Sequence, residues 1–83
     1  MHYDCVVLGK IIRDFRKERG LTQEVLSGLA GISRSHLAMI ENGKKKANFQ
    51  TIWSIAEALH VPMSQLVYSL EKQIRMIEGE GKK

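Results

Sequence analysis

The stretch TQEVLSGLAGISRSHLAMIENG, residues 22–43, constrains this chain most, because it predicts two short helices joined by a tight turn. Thr22 and Ser33 each precede a helical pattern, and a side-chain oxygen there accepts a hydrogen bond from a free backbone N–H. Gly31 follows the first helix and Gly43 the second, and glycine adopts the left-handed backbone that ends helices. We expect the two helices to cross and to bury four side chains between them: Leu26, Ala30, Leu37 and Ile40.

The outward face of the second helix carries the candidate recognition residues. The guanidinium of Arg34 can bridge O6 and N7 of guanine, and Ser35 can serve donor or acceptor edges of bases. Ala38 and Met39 could contact thymine methyl groups. A helix with such residues near its N-terminus can enter the major groove of DNA. We therefore predict that Arg34, Ser35, Ala38 and Met39 read bases.

A family resemblance rests on residues spread over most of the chain. They are Gly20-Leu21-Thr22-Gln23-Glu24, Leu26, Ala30-Gly31-Ile32-Ser33, Ile40-Glu41-Asn42-Gly43, Ala56 and Leu59. In this order and spacing they resemble the helix-turn-helix of the phage repressor/Cro-like family, also called the XRE family, over about residues 8–67. The resemblance implies an all-α fold, a compact five-helix bundle of the phage-repressor-like DNA-binding type. Here we expect an extended C-terminal helix as well.

The resemblance also implies roles for individual residues. The residue that matches Gln23 bonds a phosphate in similar proteins and braces the first base-reading side chain. Asn42 and the following lysines, Lys44, Lys45 and Lys46, would hold the DNA backbone, and such contacts fix register without reading sequence. His36 is assigned a phosphate or a packing role. The resemblance further implies a partly buried ion pair between Arg16 and Glu41, which joins helix 1 to the end of helix 3.

Hydrophobic periodicity predicts the remaining helices. Helix 1 is expected over residues 6–18 after a ragged start, and helix 4 over residues 49–59 with Asn48 as its N-cap. Pro62 is expected at the first position of helix 5. The apolar stripes are Leu8, Ile11, Ile12 and Phe15 in helix 1, and Phe49, Ile52, Ile55, Ala56 and Leu59 in helix 4. We predict one domain over residues 1–83, with a core of about 6–68, a helical extension of about 69–78 and a polar tail.

A second apolar stripe runs through the C-terminal third of the chain. Its members are Leu66, Val67, Leu70, Ile74 and Ile77. This is more apolar surface than a five-helix domain of this size needs, so we predict that it forms the interface of a two-fold homodimer. The alternative is that the stripe folds back onto helix 1 of the same chain.

Helix 2 departs from the family pattern at Val25 and Leu29, where relatives usually carry polar or charged residues. One interpretation is a surface patch covered by residues 1–3. The other is a contact surface for a partner protein.

Composition excludes several classes of function. Residues 1–46 hold nine Lys and Arg against five acids, so the net charge of +4 lies beside the candidate reading helix and favours a phosphate-facing surface. His2, His36 and His60 have no metal-ligand spacing with the lone Cys5 or with a carboxylate pair, so we expect no enzyme, no metal and no cofactor. The chain shows no signal peptide and no membrane-spanning run, and one cysteine fits a reducing compartment. We expect a cytoplasmic protein.

Three functions remain open at this point. The first is a sequence-specific transcriptional regulator that binds a palindromic operator in double-stranded DNA as a homodimer. The second is an antitoxin-like module that binds DNA and mainly holds a partner protein. The third is an interaction domain that has lost DNA binding, and the retained Gln23, Arg34, Asn42 and lysine loop argue against it.

Overall fold

The fold consists of five helices and their connecting turns. The computed structural model describes residues 4–81, with α1 (Cys5–Glu18), α2 (Gln23–Ala30), α3 (Arg34–Glu41), α4 (Phe49–Ala58) and α5 (Met63–Gly81). No strand occurs within these residues. The prediction of an all-α five-helix fold with an extended C-terminal helix is confirmed.

Side-chain caps begin four of the helices. Thr22, Ser33 and Asn48 accept hydrogen bonds from the N–H groups of Val25 (3.1 Å), His36 (3.0 Å) and Thr51 (2.8 Å), as their positions in the sequence predicted. Asp4 was assigned to a ragged start, and this was wrong, because its Oδ1 accepts from the N–H of Val6 (2.8 Å) and of Val7 (3.3 Å). Helix α1 therefore begins one residue earlier than predicted.

The expected turn lies between α2 and α3. Gly31 has φ 74°, a left-handed backbone in which glycine is not strained, and the N–H of Ile32 donates to the carbonyl of Ser27 at 3.0 Å. Three residues separate the end of α2 from the start of α3. The two helices therefore cross within a short distance of the turn and bury Leu26, Leu37 and Ile40 between them and their neighbours.

The core is formed by one side of each helix. Its fully buried members include Leu8, Ile12, Leu26, Leu37, Ile40, Ile55, Leu59 and Leu66. Phe49 was predicted in this core, and the prediction is wrong, because its side chain is 67% exposed. Phe49 lies in the first turn of α4 at the edge of the stripe, where it contacts the exposed Trp53 with ring centroids 5.9 Å apart.

Helix α1 crosses the C-terminal end of α3 at Gly9. A Cβ atom at this position would overlap the backbone carbonyl oxygens of Ile40 and Glu41. A glycine in the middle of a helix costs helix propensity, so its presence here indicates a packing requirement. Gly9 therefore sets how closely α1 approaches the candidate reading helix.

Helix α5 differs from its prediction at both ends. Pro62 precedes the helix, and its carbonyl accepts from the N–H groups of Gln65 (2.9 Å) and Leu66 (3.2 Å). At the other end the helix continues through Gly79 to Gly81, where a polar tail was expected. The predicted tail residues Lys82 and Lys83 lie outside the described residues.

The second apolar stripe divides into buried and exposed members. Leu66 and Ile74 are buried within their own chain, and Leu70 packs against the core, so the alternative of folding back holds for these three residues. Their assignment to a surface for a second molecule is corrected accordingly for Leu66 and Ile74, since a partner has almost no access to them. Val67 and Ile77 remain 45% and 53% exposed.

Replacement of Gly9 by Ala tests the close approach of α1 and α3. We expect Gly9→Ala to lower the free energy of unfolding by about 1–3 kcal/mol, because backbone carbonyls cannot yield to the added methyl group. Gly28→Ala is the matched control, since its Cβ would meet nothing within 4 Å. The control should raise stability by about 0.5–1 kcal/mol through helix propensity. Denaturant unfolding of both variants measures the difference, and a Gly9→Ala variant as stable as the parent would contradict the close contact.

Candidate nucleic-acid interface

Helix α3 has a buried face and an open face. Leu37, Ile40 and Glu41 are buried against the rest of the chain. On the other side Arg34, Ser35 and Met39 are exposed, and Ala38 is half-buried. The four residues predicted to read bases therefore lie where a ligand that covers α3 would meet them, with Arg34 at the N-terminus of the helix.

A buried ion pair holds the inner face of α3 in place. The Nε of Arg16 donates to Oε2 of Glu41 at 2.8 Å, and Nη2 donates to Oε1 at 3.0 Å. The third nitrogen of the guanidinium, Nη1, donates to the carbonyl of Leu21 at 2.8 Å. The side chain of Glu41 is 1% exposed and that of Arg16 is 10% exposed. The structure thus brings together the two residues for which the resemblance implied an ion pair, in the two-bond geometry that arginine and a carboxylate favour.

Gln23 joins this network from the first position of α2. Its Nε2 donates to Oε1 of Glu41 at 3.0 Å, and its side chain is half-buried. One amide hydrogen is therefore used inside the protein, and the second remains for an acceptor outside it. Gln23 and Arg34 line the same surface groove, together with Arg16, Leu21, Thr22 and Glu24. The groove places an amide and a guanidinium at the edge of the open face of α3.

The other candidate phosphate ligands follow α3 in the chain. Asn42 caps the helix and is exposed, and the loop after Gly43 carries the exposed Lys44, Lys45 and Lys46. The N–H of Lys44 donates to the carbonyl of Met39 at 2.9 Å, which ties the beginning of this loop to the helix. His36, the remaining candidate, is half-buried within α3. The lysine loop therefore follows the C-terminal end of α3, where Gln23 bonds Glu41.

The two residues of α2 that depart from the family pattern are exposed. Val25 is 47% and Leu29 is 62% exposed, so no described residue covers them. The interpretation that residues 1–3 cover this patch falls outside the described residues.

Residues 4–81 contain no group of three His, Cys, Asp or Glu side chains that could hold a metal ion. No helix in this range is long and apolar enough to cross a membrane.

The sequence profile of a family described as helix-turn-helix matches residues 12–66, which is more than half of the chain. The chain belongs to the helix-turn-helix family. This finding confirms the resemblance on which the site residues were first assigned.

Sequence relatives are regulators of this family. The chain is similar to the uncharacterized HTH-type transcriptional regulator y4dJ of Sinorhizobium fredii, with 33% identity over 74% of this chain and 79% of that protein. It is also similar to the immunity repressor protein of Bacillus phage phi105, with 39% identity over 75% of this chain. The match spans only 43% of the length of that repressor. The prediction of a helix-turn-helix transcriptional regulator is confirmed at this level.

Solved structures share the fold. The restriction-modification controller protein C.AhdI from Aeromonas hydrophila is 32% identical, with a TM-score of 0.74 over 78% of this chain and 98% of that protein. The clp gene regulator ClgR from Corynebacterium glutamicum has a TM-score of 0.84 over 94% of this chain and 83% of that protein. Its identity of 20% supports the fold alone.

Three contacts around the site were not foreseen from the sequence. They are the bond from Gln23 to Glu41, the bond from Arg16 to the Leu21 carbonyl and the contact of Gly9 with α3. Gly9 gave a signal, because glycine is unfavourable within the helix predicted over residues 6–18. The other two depend on side-chain rotamers and on a backbone carbonyl, which have no signature in the order of residues.

Removal of the Glu41 carboxylate tests the buried pair. Glu41→Ala leaves the Arg16 guanidinium buried without its partner, so we expect the free energy of unfolding to fall by about 3–5 kcal/mol. Glu71→Ala is the control, because it removes the exposed pair with Arg75 and should cost less than about 1 kcal/mol. Thermal and denaturant unfolding give both values. Equal free energies of unfolding for the two variants would mean that the buried pair matters no more to stability than the exposed pair.

Proposed function

We propose that this protein binds a palindromic operator in double-stranded DNA as a homodimer, with α3 of each protomer in the major groove. The open face of α3 carries this proposal, because it presents Arg34, Ser35 and Met39 on a helix whose other face is fixed by packing and by Glu41. A helix fixed in this way can enter the major groove without a change in its conformation or position. The membership of the chain in a family of transcriptional regulators supports the same function.

Each open side chain has a role that its chemistry allows. Arg34 bridges O6 and N7 of a guanine, and Ser35 bonds a base edge nearby. Ala38 and Met39 contact thymine methyl groups farther along the helix. None of the four forms a side-chain hydrogen bond or an ion pair with another described residue, so binding does not require an internal contact to be broken.

Phosphate contacts around α3 fix its register on the duplex. Gln23 uses its second amide hydrogen for a phosphate, while Glu41 holds the amide in place. Asn42 and the lysines at positions 44–46 bind the backbone from the C-terminal end of α3 and the loop that follows it. His36 contributes a phosphate or packing contact from within α3. These contacts give affinity, whereas the base contacts give preference.

Substitution of Arg34 tests the proposed function directly. The parent protein should select a defined site from a pool of random duplexes, and Arg34→Ala should lose preference at one guanine, at a cost of about 1–3 kcal/mol. Arg75→Ala, an exposed arginine on α5, is the control and should select the site of the parent. If Arg34→Ala also selects that site, Arg34 reads no base. If the parent selects no site, the proposal of specific recognition is wrong.

The proposed homodimer rests on the exposed apolar residues of α5. One eight-residue reading helix covers only a few base pairs, and regulators of this type present two such helices about 34 Å apart. Ile77 lies three residues after Ile74 and seven after Leu70, on the same side of α5, yet it is exposed. About half of its surface remains uncovered by residues 4–81. We propose that Ile77 and Val67, with the accessible edge of Leu70, pack against a second copy.

Sedimentation of an Ile77→Asp variant tests the homodimer. A buried carboxylate without a partner opposes association, so this variant should be a folded monomer at micromolar concentration while the parent is a dimer. Met76→Asp, at a neighbouring position of equal exposure on another side of α5, should remain dimeric. A parent that is monomeric at this concentration would contradict the proposal.

A second candidate function follows from the exposure of Val25 and Leu29. These residues leave the outer face of α2 open to a partner protein, as in an antitoxin-like module. DNA binding through α3 is common to both candidates, and a stable complex with a second protein through α2 would separate them. In either case we expect the protein to act in the cytoplasm, and we assign it no enzymatic activity and no cofactor.

A further inference from the structure

The solvent-facing side of α1 has two edges of opposite charge, whose members are exposed except for the half-buried Arg13. Lys10, Arg13 and Lys17 are spaced by three and four residues and therefore follow one line along the helix. Asp14 and Glu18 follow another line, where they form a groove with residues of α5. We call the first line, Lys10, Arg13 and Lys17, the basic edge.

The basic edge borders the two groups of candidate phosphate ligands. Gly43, at the start of the lysine loop, packs against Val6, one helical turn before Lys10. At the other end of α1, Arg16 bonds Glu41, which in turn holds Gln23. The helix that carries the basic edge therefore runs between the loop after α3 and the start of α2.

The basic edge and the open face of α3 both face solvent, on two helices that are in contact with each other. The core-facing residues Leu8, Ile12 and Phe15 lie on the opposite side of α1. The basic edge therefore points away from the core, as does the open face of α3, and the two helices contact each other at Gly9. A duplex lying on α3 would meet the basic edge at its side.

The basic edge carries three positive charges, and Asp14 of the neighbouring line lies one helical turn from Lys10 and from Lys17. Within residues 4–81, Lys10, Arg13 and Lys17 form no ion pair and no side-chain hydrogen bond. Like charges three or four residues apart on one face destabilise a helix slightly, and nothing in the fold requires them there. Their placement on one edge, with the acids on another, favours an external anion as the partner.

We propose that the basic edge of α1 binds DNA phosphates that flank the base pairs read by α3. This inference rests on the proposed function and extends it, because it adds contacts outside the recognised site. Each phosphate neutralised by a lysine or arginine releases counterions, so the basic edge adds affinity that depends on the length of flanking DNA and on salt.

The experiment compares duplexes of two lengths and two variants of equal charge. The first duplex contains only the site that the parent selects from random sequences, and the second contains that site with about ten extra base pairs on each side, about one helical turn. Lys10→Gln/Lys17→Gln removes two exposed charges from the basic edge, and Lys72→Gln/Arg75→Gln removes two from α5. All four positions are exposed, so both variants should fold.

The parent and the α5 control should bind the long duplex more tightly than the short one. The α1 variant should lose this gain, and its slope of log K against log salt on the long duplex should be less steep by about 1.8 for two lost contacts. An α1 variant that keeps both the gain and the slope of the control would overturn the inference and leave the proposed function standing. Failure of the parent to select any site would instead overturn the proposed function.

Discussion

The bond between the Arg16 guanidinium and the Glu41 carboxylate is the interaction on which the interface depends. It joins α1 to the last residue of α3, while the same guanidinium holds the carbonyl of Leu21 before α2. A buried pair of this kind adds little net stability compared with apolar residues of the same size, because desolvation offsets the Coulomb attraction. The pair instead restricts geometry, because a planar guanidinium and a carboxylate form two hydrogen bonds in few relative orientations. The pair therefore fixes the rotation of α3 about its own axis.

The same carboxylate connects the scaffold with the proposed DNA contacts. Glu41 accepts from Gln23, so the residue proposed to bind a phosphate is held by the group that orients the reading helix. Gly9 brings α1 close enough for this arrangement, because any larger residue would overlap the end of α3. Helix α1 thus positions both the candidate reading helix and the candidate phosphate ligands. The proposed basic edge lies on the same helix, so its position relative to α3 is fixed by the same contacts.

Much of the fold could be predicted because its signals are local. Thr22, Ser33 and Asn48 were identified as caps from residue type and position, and α2 and α3 have the predicted extents. Asp4 also has a side-chain oxygen that can cap a helix, but the apolar pattern did not show that α1 begins directly after it. Periodicity identifies the apolar side of a helix but does not show which residues at its ends are covered by other helices. Phe49 was therefore expected in the core, although its side chain is exposed. The continuation of α5 through Gly79 opposes helix propensity and could not be predicted from local preference.

The candidate site was predictable in its residues and less so in its contacts. The outward face of α3 follows from helical spacing, so Arg34 and Ser35 lie where they were expected. The assignment of the whole C-terminal stripe to a partner did not separate residues that the chain buries itself, such as Leu66, from those left exposed, such as Ile77. That division depends on where α5 passes the body of the protein. The spacing of apolar residues in the sequence does not show how far along α5 the helix stays in contact with the rest of the protein.

We propose that α3 of each protomer reads DNA in the major groove while α1 holds α3 in register. A crystal structure of the protein bound to its selected duplex tests this most directly. We predict two protomers related by a two-fold axis, with Arg34 against a guanine edge, Gln23 on a phosphate and the Arg16–Glu41 pair unchanged from the free protein. A complex in which α3 faces away from the groove, or in which the Arg16–Glu41 pair is broken, would contradict it.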